Sequence, residues 1–142
     1  GWTCDRLCQS LGPRWGCRLP GIVGMVLVAI FLVLGALATN AVLAVVLLSI
    51  CFASTQFTEG AYWAGATYIG GRHTAAATGV LNTGGNLGGV ISAPLIPTLV
   101  DQFDWLIALS TGSAFALLSA LLWLWVRTDE PLLTLRESTA SS

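Results

Sequence analysis

Two carboxamides and one carboxylate stand where the sequence is otherwise apolar: Asn82, Asn86 and Glu59. The amides belong to residues 73–97, HTAAATGVLNTGGNLGGVISAPLIP, a stretch with no Asp, Glu, Lys or Arg and many glycines. At about 3.6 residues per turn, Thr78, Asn82, Asn86 and Gly89 share one stripe of a helix. A carboxamide both donates and accepts hydrogen bonds. Two on one face can bind the hydroxyl or carboxyl groups of a polar solute. They can also tie the helix to its neighbours, at about 0.6–2 kcal/mol per interhelical bond.

Glu59 centres a second stripe. Thr55, Glu59, Trp63 and Thr67 recur every four residues, with Gln56 and Tyr62 flanking them. An acid inside a membrane span costs about 2.5–3.5 kcal/mol on insertion scales, so it is expected to face a bundle interior or water. One reading makes Glu59 part of a transport cavity, as hydrogen-bond acceptor or titrating group. The other makes it a protonated or paired structural residue near the membrane interface.

Each interior glycine costs a helix in water about 1 kcal/mol relative to alanine. In a membrane the helix is enforced, because the backbone has no other hydrogen-bond partner, and small residues let helices approach. Gly84 and Gly88 have GxxxG spacing opposite the amides, and Gly85 and Gly89 repeat it beside them. All four are expected to be close-packing or hinge positions. Pro94 removes the hydrogen bond to the carbonyl of Val90, so the far end, where Pro97 follows, is expected to be interrupted by a bend or gate.

The elements that hold these stripes are read from hydropathy. Of 142 residues, 55% are hydrophobic and 9% charged, against about 25% charged in an ordinary soluble domain. Mean hydropathy is +0.79. Residues 20–38 carry no polar side chain and suffice to cross about 30 Å of hydrocarbon. Residues 41–70 follow, interrupted only by Glu59; then 74–100, and then 105–126, which closes with Trp123 and Trp125 at the depth of an aromatic belt. The fold class expected is an all-α membrane protein with four transmembrane helices over residues 20–126. Residues 1–19 are read as a cytoplasmic loop and 127–142 as a cytoplasmic C-terminal tail. The opening GWTCDR lacks a starting Met, and the one methionine is Met25, so the chain reads as a segment of a longer protein.

Orientation follows from the arginines. Arg6, Arg14 and Arg18 precede the first span, Arg72 lies between the second and third, and Arg127 and Arg136 follow the fourth. Four crossings put all of them on one side, which the positive-inside rule makes cytoplasmic. A multi-pass protein of the cell (inner or plasma) membrane is expected.

Other chemistries find little support. No phosphate loop, paired carboxylate or Ser-His-Asp set is present, so no enzyme and no cofactor is expected. No basic stripe is available to follow nucleic acid. Cys4, Cys8, Cys17 and Cys51 contain no CxxC pair and lie far from the single His73, so they read as thiols on a reducing face, with no metal. His73, beside Arg72, reads as a solvated turn residue.

Two motifs bear a resemblance. Gly1-x-x-x-Asp5-Arg6 resembles the second copy of the major facilitator superfamily loop motif, which lies between helices eight and nine. Residues 78–89, TGVLNTGGNLGG, followed by Pro94, resemble helix eleven of that family's anion:cation symporter branch. Ala61-Tyr62-Trp63-Ala64 resembles its helix ten. The fuller loop motif has a glycine and adjacent basic residues where this chain has Cys8, Ser10 and Leu11. The resemblance implies helices nine to twelve of a twelve-helix carrier for a small organic anion (a sugar acid or carboxylate) and a proton. Its partners would be the lipid bilayer and the missing N-terminal helices. It implies substrate binding by Asn82, with Trp63, Tyr62 and Gln56 behind it and Asn86 and Glu59 beside it. Gating is expected at Asp5, Arg6, Gly85, Gly89 and Pro94. The alternative is a self-contained four-helix membrane protein, either a small multidrug exporter acting through Glu59 or an assembly subunit.

Overall fold

A computed structural model describes residues 2–126, excepting the side chains of residues 2–5, 13 and 14. Among the described residues four α-helices follow one another: α1 (Trp2–Leu37), α2 (Ala41–Gly70), α3 (Thr74–Gln102) and α4 (Trp105–Leu122). A single 3-10 turn, Gly71–His73, joins α2 to α3.

Three stretches are long and apolar enough to cross a membrane: Trp15–Leu37, Ala41–Gln102 and Trp105–Leu122. The middle one comprises α2 and α3 with the turn between them. At Gly71 the backbone takes φ 48°, ψ −115°, a region that L side chains avoid. The chain reverses there, and α3 runs back along α2.

Polar residues start two of these helices. Asn40 accepts a hydrogen bond from the Val42 amide at 2.8 Å, and Asp104 accepts one from the Trp105 amide at 2.7 Å. Both are N-caps, satisfying amides that a helix start leaves open. Along α2, Ser54, Thr55, Thr58 and Thr67 each donate to the carbonyl four residues back, at 2.8–3.1 Å. Each hydroxyl thereby closes a hydrogen bond within its own helix.

The packed centre is α1, held between α2 and α4. Against α2, Gly24 lies on Thr58, which is fully buried, and Gly35 lies on Leu48. Cys51 Sγ donates to the Val28 carbonyl at 3.6 Å. Against α4, Gly21 lies under the Trp123 indole, and Ser113 Oγ donates to the Ala29 carbonyl at 3.0 Å. Buried Arg18 donates from Nε to the Val126 carbonyl at 2.7 Å, just beyond α4. That guanidinium meets the negative end of the helix.

Three expectations need correction. Residues 1–19 are not simply a loop, since α1 is already helical from Trp2. It breaks only at Gly12, at φ 82° and ψ 162°. Gly12 precedes Pro13, and the residue before proline is driven out of the helical region. At the far end of α3, helical backbone continues through Pro94 and Pro97 to Gln102, so the prolines do not end the helix. Thr98 Oγ1 donates to the Pro94 carbonyl at 2.8 Å.

The third correction concerns the glycines. None of the residues of α3 is buried. A Cβ added at Gly84, Gly85, Gly88 or Gly89 would meet no atom within 4 Å among the described residues. Close packing at these positions is therefore not made by α1, α2 or α4. It occurs at Gly21, Gly24 and Gly35, because α1 is central and α3 lies at the edge. The tail 127–142 lies outside the described residues.

Candidate functional site

The reversal at Gly71 sets the Glu59 stripe of α2 against the amide face of α3. Between them lies a cleft of about 450 Å³. From α2 it is lined by Glu59, Tyr62 and Trp63, and from α3 by Val80, Leu81, Asn82, Gly84, Gly85 and Asn86. The residue order is that of an antiparallel pair: Gly70 lies near Ala77 at the turn, and Glu59 and Asn86 lie farther away from it.

Each side chain has a distinct setting. Trp63 Nε1 donates to Glu59 Oε1 at 3.4 Å, one helical turn away, and both residues are exposed. Asn86 folds back, its Nδ2 donating to the Asn82 carbonyl at 3.0 Å. Asn82 thus gives its backbone oxygen to Asn86, while its own carboxamide stands exposed on the cleft wall.

Tyr62 is held more firmly than its neighbours. Its hydroxyl is 2.9 Å from Ser119 Oγ, and its ring stacks on Trp123 with centroids 5.1 Å apart and planes at 19°. Offset stacking of this kind contributes about 0.5–1.5 kcal/mol beyond area burial. Tyr62 therefore braces the cleft wall from α4. Trp123 is buried beneath it at 6% exposure, so of the two tryptophans expected in an aromatic belt only Trp125, at 76%, is exposed. Ser119 and Trp123 are site-supporting residues that sequence reasoning missed. Their partners are over fifty residues away, and no local pattern marks such a contact.

The other predicted positions fall elsewhere. Gln56 is exposed on α2 but is not among the residues lining the cleft. Gly85 lines it and Gly89 does not. Pro94 is exposed farther along α3. Arg6 is exposed near the start of α1, and the Asp5 side chain lies outside the described residues. His73 is exposed in the turn, as expected of a solvated residue.

Chemically the cleft offers one carboxylate, two amides and two aromatic rings, with no cationic side chain among its lining residues. Its polar groups suit hydroxyls and hydrogen-bond donors, and its rings suit the apolar face of a small solute. An ionised Glu59 would repel an anion.

Comparison with known proteins settles the family. The family model of the Major Facilitator Superfamily matches residues 6–141. The chain belongs to the major facilitator superfamily. No curated protein and no solved structure gives a significant match. Membership in this superfamily places the chain among multi-pass membrane transporters, and major facilitators are in general not enzymes. The long apolar stretches and the hairpin of α2 and α3 are in keeping with that class.

Proposed function

We propose that this major facilitator chain supplies helices nine to twelve of a twelve-helix carrier and walls one side of the path of a small organic anion. The observation that carries the reading is the cleft itself, where Asn82, Trp63 and Glu59 come together from two helices that the sequence marks separately. In this reading α1 to α4 are four crossings of the cell membrane. The six arginines then all lie on the cytoplasmic side, together with both ends of the segment.

The chemistry assigns roles. The Asn82 carboxamide donates to a carboxylate or hydroxyl of a sugar acid, Asn86 supports it, and Trp63 covers an apolar face. Gln56 lies one turn below as a contact for a longer solute. Glu59 accepts from Trp63 Nε1 at 3.4 Å and so holds that ring at the cleft wall; movement of the anion together with a proton is part of the proposal. Alternating access then needs bending or sliding at the path, for which Gly85, Gly89 and Pro94 on α3, and Asp5 and Arg6 at the start of α1, are the proposed positions.

The test is uptake by the intact transporter in membrane vesicles. An inward acid gradient is expected to drive accumulation of a radiolabelled aldonate or hexuronate, and a protonophore to abolish it. Uptake of amphiphilic cations with no response to sugar acids would overturn the assignment. A self-contained four-helix exporter draws no support from the family match, which spans nearly the whole chain.

A further inference from the structure

The break at Gly12 brings two thiols together that the transport reading leaves unused. Residues 2–11 fold back so that Cys8 lies on Gly16, where a Cβ would fall on the backbone and sulfur of Cys8. Cys8 Sγ and Cys17 Sγ are then 3.8 Å apart across the corner. Cys17 has no exposed surface, while Cys8 is half-buried. A disulfide needs about 2.05 Å between sulfurs, so the two thiols are in contact but not bonded.

We propose that Cys8 and Cys17 form a redox-sensitive pair, oxidised to a disulfide by a small-molecule disulfide of the glutathione type. The order of attack follows from exposure. The Cys8 thiolate attacks one sulfur of the oxidant, giving a mixed disulfide and releasing one thiolate. The Cys17 thiolate then attacks the Cys8 sulfur and expels the second. Two protein thiols become one disulfide and the oxidant becomes two thiols. Two electrons pass to the oxidant, and the two protons given up by the cysteines end on the released thiolates.

The bond would fix the corner at Gly12 and strap residues 2–11 onto the start of the first apolar stretch. One residue after Cys17, Arg18 grips the carbonyl of Val126. The strap therefore fastens the segment beside the joint between α1 and the end of α4. Reduction frees it to swing about Gly12.

The experiment uses membranes holding the intact protein, treated with oxidised glutathione, quenched with an alkylating agent, digested and mapped by mass. A peptide linking Cys8 to Cys17 and lighter by two hydrogens is the expected product, with Cys51 still alkylated after unfolding. Gly12→Ala forces a side chain into backbone space open essentially only to glycine, so its cross-linking should be roughly tenfold slower. Glutathione retained on Cys8 with Cys17 alkylated would overturn the proposal. So would a link through Cys4 instead, or a Gly12→Ala rate equal to that of the parent protein.

Discussion

Gly24→Ile should destabilise the protein by about 3 kcal/mol or more, whereas Gly84→Ile should leave stability nearly unchanged. Both are helical glycines, and helix propensity ranks the two substitutions equally. The surroundings separate them. A Cβ at Gly24 falls on Thr58 Oγ1. Thr58 has no exposed surface and donates to the Ser54 carbonyl at 3.0 Å. Making room for a side chain means rotating Thr58, breaking that hydrogen bond in a buried site and moving α1 off α2. A Cβ at Gly84 meets nothing within 4 Å among the described residues.

Surfactant-induced unfolding of the purified protein, followed by loss of helical circular dichroism, measures the two effects. Adding Thr58→Ala to Gly24→Ala should recover part of the loss. Two residues in contact commonly couple by about 0.5–3 kcal/mol. Additive losses, or a larger effect at Gly84, would show that α1 and α2 do not meet at this pair.

The second large effect is expected at Asn82. Asn82→Ala should lower kcat/KM for the carried anion by about tenfold to a hundredfold, the loss of one buried or charge-assisted hydrogen bond worth roughly 1–3 kcal/mol. Stability should hardly change, because the Asn82 side chain is exposed and its backbone carbonyl remains available to Asn86. Asn86→Ala should cost less, since Nδ2 of Asn86 is already engaged within its own helix. Gln56→Ala should cost least, since Gln56 does not line the cleft. Initial rates of uptake across a range of substrate concentrations give this ranking. Equal losses at all three positions would indicate a general disturbance rather than a contact.

Much of the fold was legible because membrane helices obey a few strong rules. Residues 41–70 were bounded by hydropathy and by Asn40 and Gly71, and those bounds match α2 residue for residue. The start of α3 at Thr74 was likewise marked by the polar break before it. That Glu59, Tyr62 and Trp63 come to face Asn82 and Asn86 was less legible, because spacing within one helix does not say which neighbour its polar stripe meets.

What stayed hidden depends on which neighbour is present. GxxxG spacing says that a helix can be approached closely, not that α1, α2 or α4 does so. Thus the conspicuous glycines of α3 meet no close neighbour among the described residues, while the plainer Gly21, Gly24 and Gly35 carry the packing. Trp123 reads as a belt residue from its place near the end of an apolar run. Its burial comes from Tyr62 and from the bare surface of Gly21, both distant in sequence. The corner at Gly12 was written in the Gly-Pro pair, but helices on both sides of it in a polar stretch were not.

The central claim is that the face of α3 bearing Asn82 borders water and cargo, not acyl chains. It is tested most directly by Asn82→Cys in a transporter whose native cysteines have been replaced, probed in intact membranes with a charged, water-soluble thiol reagent. The account predicts rapid labelling at this position and protection by saturating organic anion. A Cys at this position that ignores the charged reagent, yet reacts with a lipid-soluble one whether or not the anion is present, would contradict it.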